Sequence, residues 1–363
     1  MICGDNSPLR IGYVGQLEKG GTCYSRLLPL EAEEPGVCTL DIQTTLPPRG
    51  VSRFERLLEQ LPGGGVRSRA LNAQLLELVA AKQLNVLWLD KGDWVAPSTL
   101  AHLRRRGVIL IHHLTDALWP QKWQLWLTRW QLRAGARHYN FYLTSNEVDA
   151  RRLAGIVQGG VLLTQLGFDD RRFHGRPVVG AGASSKWAND VLFIGHREPR
   201  TQQYLEALLR EGLPVKVYGA GWQALAERSA LWREHAFGPV GDEEYVLMLK
   251  GAKIGLCFVS EWNYNQTSAR SYEIPACGTF LLAMRTDTHR SHFEEGVEAE
   301  FFTSPEELVR KAKHYLRDAE VRHQVAARGR ERCEKSGYSW REIMVRDWTL
   351  VKTELCNMIC SKP

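Results

Sequence analysis

The sequence predicts a tandem α/β protein: two parallel-sheet domains joined by a linker. Three observations carry this. Short, mostly apolar runs recur with helical patterns between them, the mark of a parallel sheet covered on both faces. The alternation breaks once, at a stretch rich in Gly, Ala and Ser, and then restarts. The 363 residues also exceed what one hydrophobic core ordinarily holds.

In the first half the strand runs are "RIGYVG" (10–15), "VCTLDIQ" (37–43), "NVLWLD" (85–90), "VILIHH" (108–113), "FYLTS" (141–145) and "VLLTQL" (161–166). The intervening "SRALNAQLLELVAAKQ" and "PSTLAHLRRRG" read as helices. The stretch "RPVVGAGASSKWAND" (176–190) reads as the linker, which places the first domain at 1–175. The second domain, 191–337, supplies "VLFIG" (191–195), "VKVYG" (215–219), "KIGLCFV" (253–259) and "TFLLAM" (279–284). Its helices include "TQQYLEALLREG", "GDEEYVLMLKGA" and "TSPEELVRKAKHYL"; the last opens on Ser304 as N-cap, Pro305 at N1 and Glu307 at N3, a capping-box arrangement. Residues 338–358 read as one more helix, with a break in it allowed. Tandem sheets of this kind bind ligands at the carboxyl ends of their strands.

Hydrophobic residues make up 44% and charged residues 24%, ordinary for a globular chain. The net charge of +6 fits an anionic ligand, an acidic membrane surface, nucleic acid or a plain solvated surface. The eight cysteines form no C-x-x-C pair and read as mostly free thiols of a reducing cytoplasm. No signal-peptide run and no uninterrupted apolar stretch of membrane-spanning length is present, so a cytoplasmic location is expected. "GYVGQLEKGG" lacks the G-x-G-x-x-G of a dehydrogenase, and neither a P-loop nor a G-x-S-x-G elbow occurs. The basic residues at 104–106, 151–152 and 171–172 are scattered and form no recognised nucleic-acid module, so no nucleic-acid partner is expected.

Four stretches of the second half follow one another in a telling order: "VLFIGHREPRTQQYLEALLREGLPVKVYGAGW", "FGPVGDEEYVLMLKGAKIGLCF", "RSYEIPACGTFLLA" and "HFEEGVEAEFFTSPEELVRKAKHYLRDAEVRHQVAARGRERC". Preceded by "VLWLDKGDWVAPSTLAHLRRRGVILIHHLTDA" and "YLTSNEVDARRLAGIVQGGVLLTQLGFDDRRFH", this succession resembles the CgeB-like (spore maturation protein) glycosyltransferases across roughly residues 80–340. Those are relatives of the glycosyl transferases group 1 superfamily. The resemblance implies the GT-B fold, two Rossmann-like domains facing across a cleft, with the 338–363 helix crossing back onto the first domain. It also implies transfer of a sugar from a UDP-, GDP- or dTDP-type donor to a glycan, lipid-linked, protein or small-molecule hydroxyl. No permanent cofactor and no bound metal are implied, and no D-x-D is present. The alternative is a non-catalytic nucleotide-sugar-binding or partner protein on the same scaffold.

The superfamily's ribose-binding glutamate matches Glu273, whose two oxygens suit a vicinal diol; the competing reading is a glutamate that only complements its helix dipole. Gly278 would let the backbone pass close by. Ser268 and Arg270, just before Glu273, are candidate diphosphate contacts, as are Arg197 and Arg200 after the second domain's first strand. Gly219 and Trp222 would receive the base, unless "YGAGW" is a glycine turn with a core tryptophan. Group 1 retaining enzymes carry an acidic residue eight positions before the ribose glutamate, where this chain has Asn265. Retention is therefore only implied by the superfamily, and the amide is a candidate for a sugar hydroxyl. His113 and Asp116 are acceptor-side catalytic candidates, with a structural histidine as the competing reading. Gly20, Gly21 and Asp93 complete the acceptor side; for the glycine pair an ordinary turn competes.

Trp119, Trp123, Trp126 and Trp130 fall at i, i+4, i+7 and i+11, which on one helix would make a stripe. Core packing, a peripheral contact with the inner membrane face, or an acceptor surface are its three readings.

Overall fold

The computed structural model describes residues 8–44, 65–122, 126, 129–174 and 187–360. Most of the expected linker, 176–190, lies outside them, as does Trp123. The chain packs as two compact units. One comprises Met1–Gln165, Trp262–Asn265 and Arg341–Pro363; the other comprises Leu166–Glu261 and Gln266–Trp340.

In the first unit, β1 (Ile11–Gly15), β2 (Cys38–Asp41), β3 (Val86–Asp90), β4 (Ile109–Leu114), β5 (Phe141–Thr144) and β6 (Gly160–Leu163) form a parallel sheet in the order β2-β1-β3-β4-β5-β6. Side chains alternate between its faces. Leu87 and Leu89 join Leu71, Leu75, Val79, Leu100 and Leu103 from the helices Val66–Ala81 and Pro97–Arg105. Val86 and Trp88 turn to the opposite face, where they meet Leu27, Leu30, Met344, Trp348 and Val351. The last three belong to one unbroken helix, Trp340–Cys360, so the C-terminal helix does pack on the first sheet.

In the second unit, β7 (Asn189–Ile194), β8 (Val215–Tyr218), β9 (Ala236–Phe237), β10 (Ala252–Cys257), β11 (Phe280–Met284) and β12 (Glu300–Phe302) form a second parallel sheet, ordered β12-β11-β10-β7-β8-β9. Counted from β7 this is the doubly wound order 3-2-1-4-5-6, read from its other edge, with the strand order reversing between β7 and β10. In the first unit the reversal lies between β1 and β3. β9 and β12, of two and three residues, carry too few residues to show a period and are absent from the sequence reading.

Ser304 caps the helix Pro305–Arg317 through its hydroxyl, which accepts from the Glu307 N–H at 3.2 Å. The return bond of the box is shifted by one residue: Glu307 Oε2 accepts from the N–H of Thr303, at 2.8 Å, rather than from that of the cap itself. The tryptophan stripe is overturned. The helix begins only at Trp130, and Trp119 and Trp126 lie on non-helical backbone before it. Trp119 packs partly buried against the core, whereas Trp126 is 49% exposed and donates its ring N–H to the Pro120 carbonyl at 2.9 Å.

Candidate functional site

The second unit's candidates gather where its strand order reverses. After β7 the chain runs through Gly195, Arg197, Glu198 and Arg200; after β10 it runs to Ser268, Arg270 and Glu273. Glu198 ties the two loops together. Its carboxylate accepts from the Ser260 hydroxyl at 2.7 Å and from the Glu261 N–H at 2.8 Å. It was not singled out in the sequence, where it reads as one more surface acid.

Glu273 sits in the short helix Arg270–Ala276. That helix lies close on β10 because Gly255 has no side chain: a Cβ there would come within 2.7 Å of Ile274 Cγ2. Gly278 ends the helix with φ at +73°, its N–H bonded to the Pro275 carbonyl at 2.8 Å. The observed need for glycine is therefore this left-handed turn. The Glu273 carboxylate is partly buried and accepts from the Tyr245 hydroxyl at 2.5 Å. Burial raises its pKa above the ordinary glutamate value, against the pull of Tyr245 and Arg270. Tyr245 was also missed; in "GDEEYVLMLKGA" only its place beside three acids at a helix start could have marked it.

Arg270 extends over the Phe193 ring, 5.7 Å from its centroid, and its buried Nε has no hydrogen-bond partner. Ser268 gives its N–H to Ser271 Oγ at 3.0 Å, while its hydroxyl lies 3.3 Å from Cys257 Sγ. Ser271 Oγ is in turn 2.8 Å from His289 Nε2. Both are fully buried and fix the turn from beneath. Arg197 donates to the Gln202 side chain at 2.8 Å. Arg200 lies 3.7 Å from Glu261 and donates to the Val259 carbonyl at 3.4 Å. Arg197 thus stays on the loop after β7 and Arg200 in the first turn of the helix Pro199–Arg210, each with a partner.

Gly219, with φ at +136°, lets the chain cross β7 at close range: a Cβ there would fall 2.1 Å from the Gly195 carbonyl oxygen. Trp222 cannot stack a base. It is fully buried between Phe193 and Trp232 and donates its ring N–H to the Gly195 carbonyl at 2.8 Å. The core reading of this tryptophan holds, and the stacking role is withdrawn.

In the first unit, Gly20 and Gly21 follow β1, and Asp93 follows β3, on the two loops beside that sheet's reversal. Gly20 has φ at +84°, and Gly21 closes a turn by donating to the Glu18 carbonyl at 2.9 Å before the helix Thr22–Glu33. Asp116 follows β4 and lies 3.8 Å from Arg129; Asp93 lies 3.9 Å from the same guanidinium. The Asp116 side chain is 43% exposed and can be reached from solvent. His113 cannot. It is fully buried beside Trp88, with ring centroids 6.0 Å apart, and burial and the neighbouring Arg26 push its pKa down to about 3. A strand residue that faces the core touches no substrate, so His113 leaves the set of reacting groups. Asn265 belongs to this unit. Its Nδ2 donates to the Thr115 carbonyl at 2.6 Å, and its buried Oδ1 has no partner.

Among the described residues no group of three or more His, Cys, Asp or Glu is arranged to hold a metal, and no helix is long and apolar enough to cross a membrane.

Residues 197–346 match the family described as Glycosyl transferase-like. No curated protein matches the chain. Among solved structures it is similar to sucrose-phosphate synthase from Thermosynechococcus elongatus, with 14% identity, 95% of this chain and 98% of that chain covered, and a TM-score of 0.70. It is similar to Anabaena HepE in complex with UDP-glucose, with 14% identity, coverage of 95% and 100%, and a TM-score of 0.64. A UDP-N-acetylglucosamine 2-epimerase is similar at 11% identity, with coverage of 94% and 95% and a TM-score of 0.56. A synthase and an epimerase on one scaffold show that the fold alone does not select the reaction. The chain thus has the GT-B fold, with two Rossmann-like units, and its residues 197–346 match the glycosyl transferase-like family.

Proposed function

We propose that the chain is a glycosyltransferase of the CgeB-like kind, moving a sugar from a nucleotide-diphosphate sugar to an acceptor hydroxyl. One observation carries this reading. A partly buried carboxylate, Glu273, stands three residues from Arg270 at the strand reversal of a doubly wound sheet, within the residues matched as glycosyl transferase-like. Such a reversal is where open α/β sheets take nucleotides. Glu273 would accept from the ribose, and Arg270, with Arg197 or Arg200 and the Ser268 hydroxyl, would hold the diphosphate and neutralise it as it leaves. HepE, with UDP-glucose in its solved complex, makes UDP the first donor class to try. On the acceptor side, Asp116 is the reachable base and Asp93 its neighbour on Arg129. Transfer with retention, without a bound metal and in the cytoplasm, completes the proposal. The acceptor is a glycan, a lipid-linked glycan, a protein or a small molecule.

A second reading has its own observation. Asn265 stands where retaining relatives have an acid, and its amide is engaged by the Thr115 carbonyl. A nucleotide-sugar-binding protein that transfers nothing would tolerate that.

The test is calorimetry and thermal shift with UDP, GDP, dTDP, CMP and their sugars, on the wild type and on Glu273→Ala. One nucleotide is expected to raise the melting temperature by mass action, and the variant is expected to lose most of that rise. No binding to the wild type, or equal binding to the variant, would refute the nucleotide reading. Binding without either transfer or slow donor hydrolysis would leave the second reading in its place.

A further inference from the structure

The geometry points to Tyr245 as a positioning residue for Glu273: its hydroxyl holds one carboxylate oxygen, so that the other alone receives a single hydroxyl of the ribose diol. This rests on the nucleotide reading of the same site.

Tyr245 comes from a different element, the helix Asp242–Gly251, which the Thr279 hydroxyl anchors through the Leu249 carbonyl at 2.6 Å. The Tyr245 ring packs edge-on against Phe173 at 6.0 Å, so the hydroxyl is delivered from a fixed ring. It donates to Glu273 Oε2 at 2.5 Å, and among the described residues nothing donates to Oε1. A carboxylate with two free oxygens can turn and grip both hydroxyls of a vicinal diol. One held at Oε2 keeps a fixed orientation, with Oε1 as the oxygen that carries no donor among the described residues. Such supporting contacts hold a binding group to the tolerance that recognition needs. Burial and the Glu273 charge raise the Tyr245 pKa well above the ordinary phenol value, so the group stays a donor at every working pH.

The charged and titratable neighbours of Glu273 are Arg270 on its own helix, Arg172 and Asp242 from the segments packed against it, and the thiols of Cys257 and Cys277. Arg270 and Arg172 favour the carboxylate, Asp242 opposes it, and the two thiols, their own pKa values raised by burial, stay neutral. The Tyr245 hydrogen bond is the largest influence lowering the Glu273 pKa. Without it the carboxyl takes up a proton at a higher pH.

The experiment is calorimetry of the full chain with UDP, 2′-deoxy-UDP and 3′-deoxy-UDP between pH 6 and 8, on the wild type, Tyr245→Phe and Glu273→Gln. For the wild type, one deoxy analogue should bind like UDP and the other about tenfold more weakly, the usual scale of one hydrogen bond to a charged group. Tyr245→Phe keeps the ring against Phe173. It should bind UDP about fivefold to tenfold more weakly, narrow the gap between the analogues, and lose affinity toward low pH more than the wild type does. Glu273→Gln offers Tyr245 an amide oxygen but carries no charge, so it should bind weakly at every pH. A purely structural tyrosine would lower the melting temperature and leave the analogue ranking and the pH profile untouched. That result, with Glu273→Gln still impaired, overturns the role of Tyr245 while the nucleotide reading stands. Absence of UDP and GDP binding in the wild type, or wild-type binding by Glu273→Ala, overturns both.

Discussion

Asp90 ends β3 with no exposure to solvent, and three donors meet it there. Arg26 reaches both oxygens at 2.7 Å, and the Tyr13 hydroxyl reaches Oδ2 at 2.5 Å. The Arg26 guanidinium holds the Asp90 pKa well below the usual carboxylate range. A carboxylate lowered in the folded state stabilises the fold above its unfolded pKa, and loses that contribution only as the pH falls through the folded value. Asp90→Asn removes the charge and gives the buried Arg26 a neutral amide in place of its carboxylate partner. The expected loss is about 3–5 kcal/mol, since breaking a buried pair strands the remaining charge. Urea unfolding should show that loss, unchanged between pH 5 and 8; a variant within about 0.5 kcal/mol of the wild type contradicts it. The same buried constellation explains why His113 was misread. In a sequence, a histidine at a strand end looks like a cleft residue. Its facing is set by the register of β4 against β3, which pairs His113 with Asp90 and turns its ring to Trp88. Composition carries no trace of that register.

At the scale of elements, the strands were legible because a parallel strand buried on both faces must be apolar almost throughout. β3, for example, reads Val86, Leu87, Trp88, Leu89, Asp90 and is buried at every position. Helix starts were legible where a side chain caps them, as at Ser304. What failed was periodicity without a partner surface. The tryptophans from 119 to 130 keep a helical spacing, yet Trp119 and Trp126 lie on non-helical backbone, and each described ring finds its own contact. "YGAGW" joins a legible feature to an illegible one. Its glycines announce unusual backbone, but whether the tryptophan faces ligand or core depends on Phe193 and Trp232 from other elements. The two glycines there also differ in a way that can be measured. A Cβ at Gly219 would strike the Gly195 backbone at 2.1 Å, whereas one at Gly221 would meet Arg197 Cβ at 3.3 Å. Both have positive φ, which alone disfavours alanine by about 1 kcal/mol. Gly221→Ala should therefore unfold a few degrees early, as expected for a loss of that size. Gly219→Ala must also push β7 and β8 away from each other, and is expected to yield no soluble folded protein. Equal melting temperatures for the two variants would show that the β7–β8 crossing is not as tight as 2.1 Å implies.

For the whole molecule, the chain order and the folding units differ, because residues 341–363 belong with the first sheet. The apolar residues of the C-terminal helix explain why. Met344, Trp348, Val351 and Leu355 lie at intervals of three and four on one stripe, and all four enter the core formed with Tyr13, Trp88, Ile111 and Phe141. Trp348 is the anchor. It is 1% exposed, packs edge-on to Trp88 at 6.1 Å, and gives its ring N–H to Glu34 at 2.8 Å. Lys352, one turn on, reaches the same Glu34 oxygen at 3.0 Å, and Asp347 accepts from the buried Thr164 hydroxyl. The helix therefore closes one face of a sheet whose other face has its own helices. The first unit cannot complete its core until the helix Trp340–Cys360 has been made. Trp348→Ala removes the indole from that core and should destabilise the protein by about 3–5 kcal/mol, the range for a buried aromatic truncated to alanine. Trp348→Phe keeps most of the volume but forfeits the bond to Glu34, and should fall between the alanine variant and the wild type. Because Trp348 lies in the first unit, nucleotide binding by Trp348→Ala that remains folded should match the wild type, if the donor residues of the second unit bind as proposed. Denaturant unfolding read beside calorimetry separates the two effects: a stable Trp348→Ala would remove the helix from its anchoring role, and a folded variant that no longer binds would mean the donor residues of the second unit do not suffice by themselves.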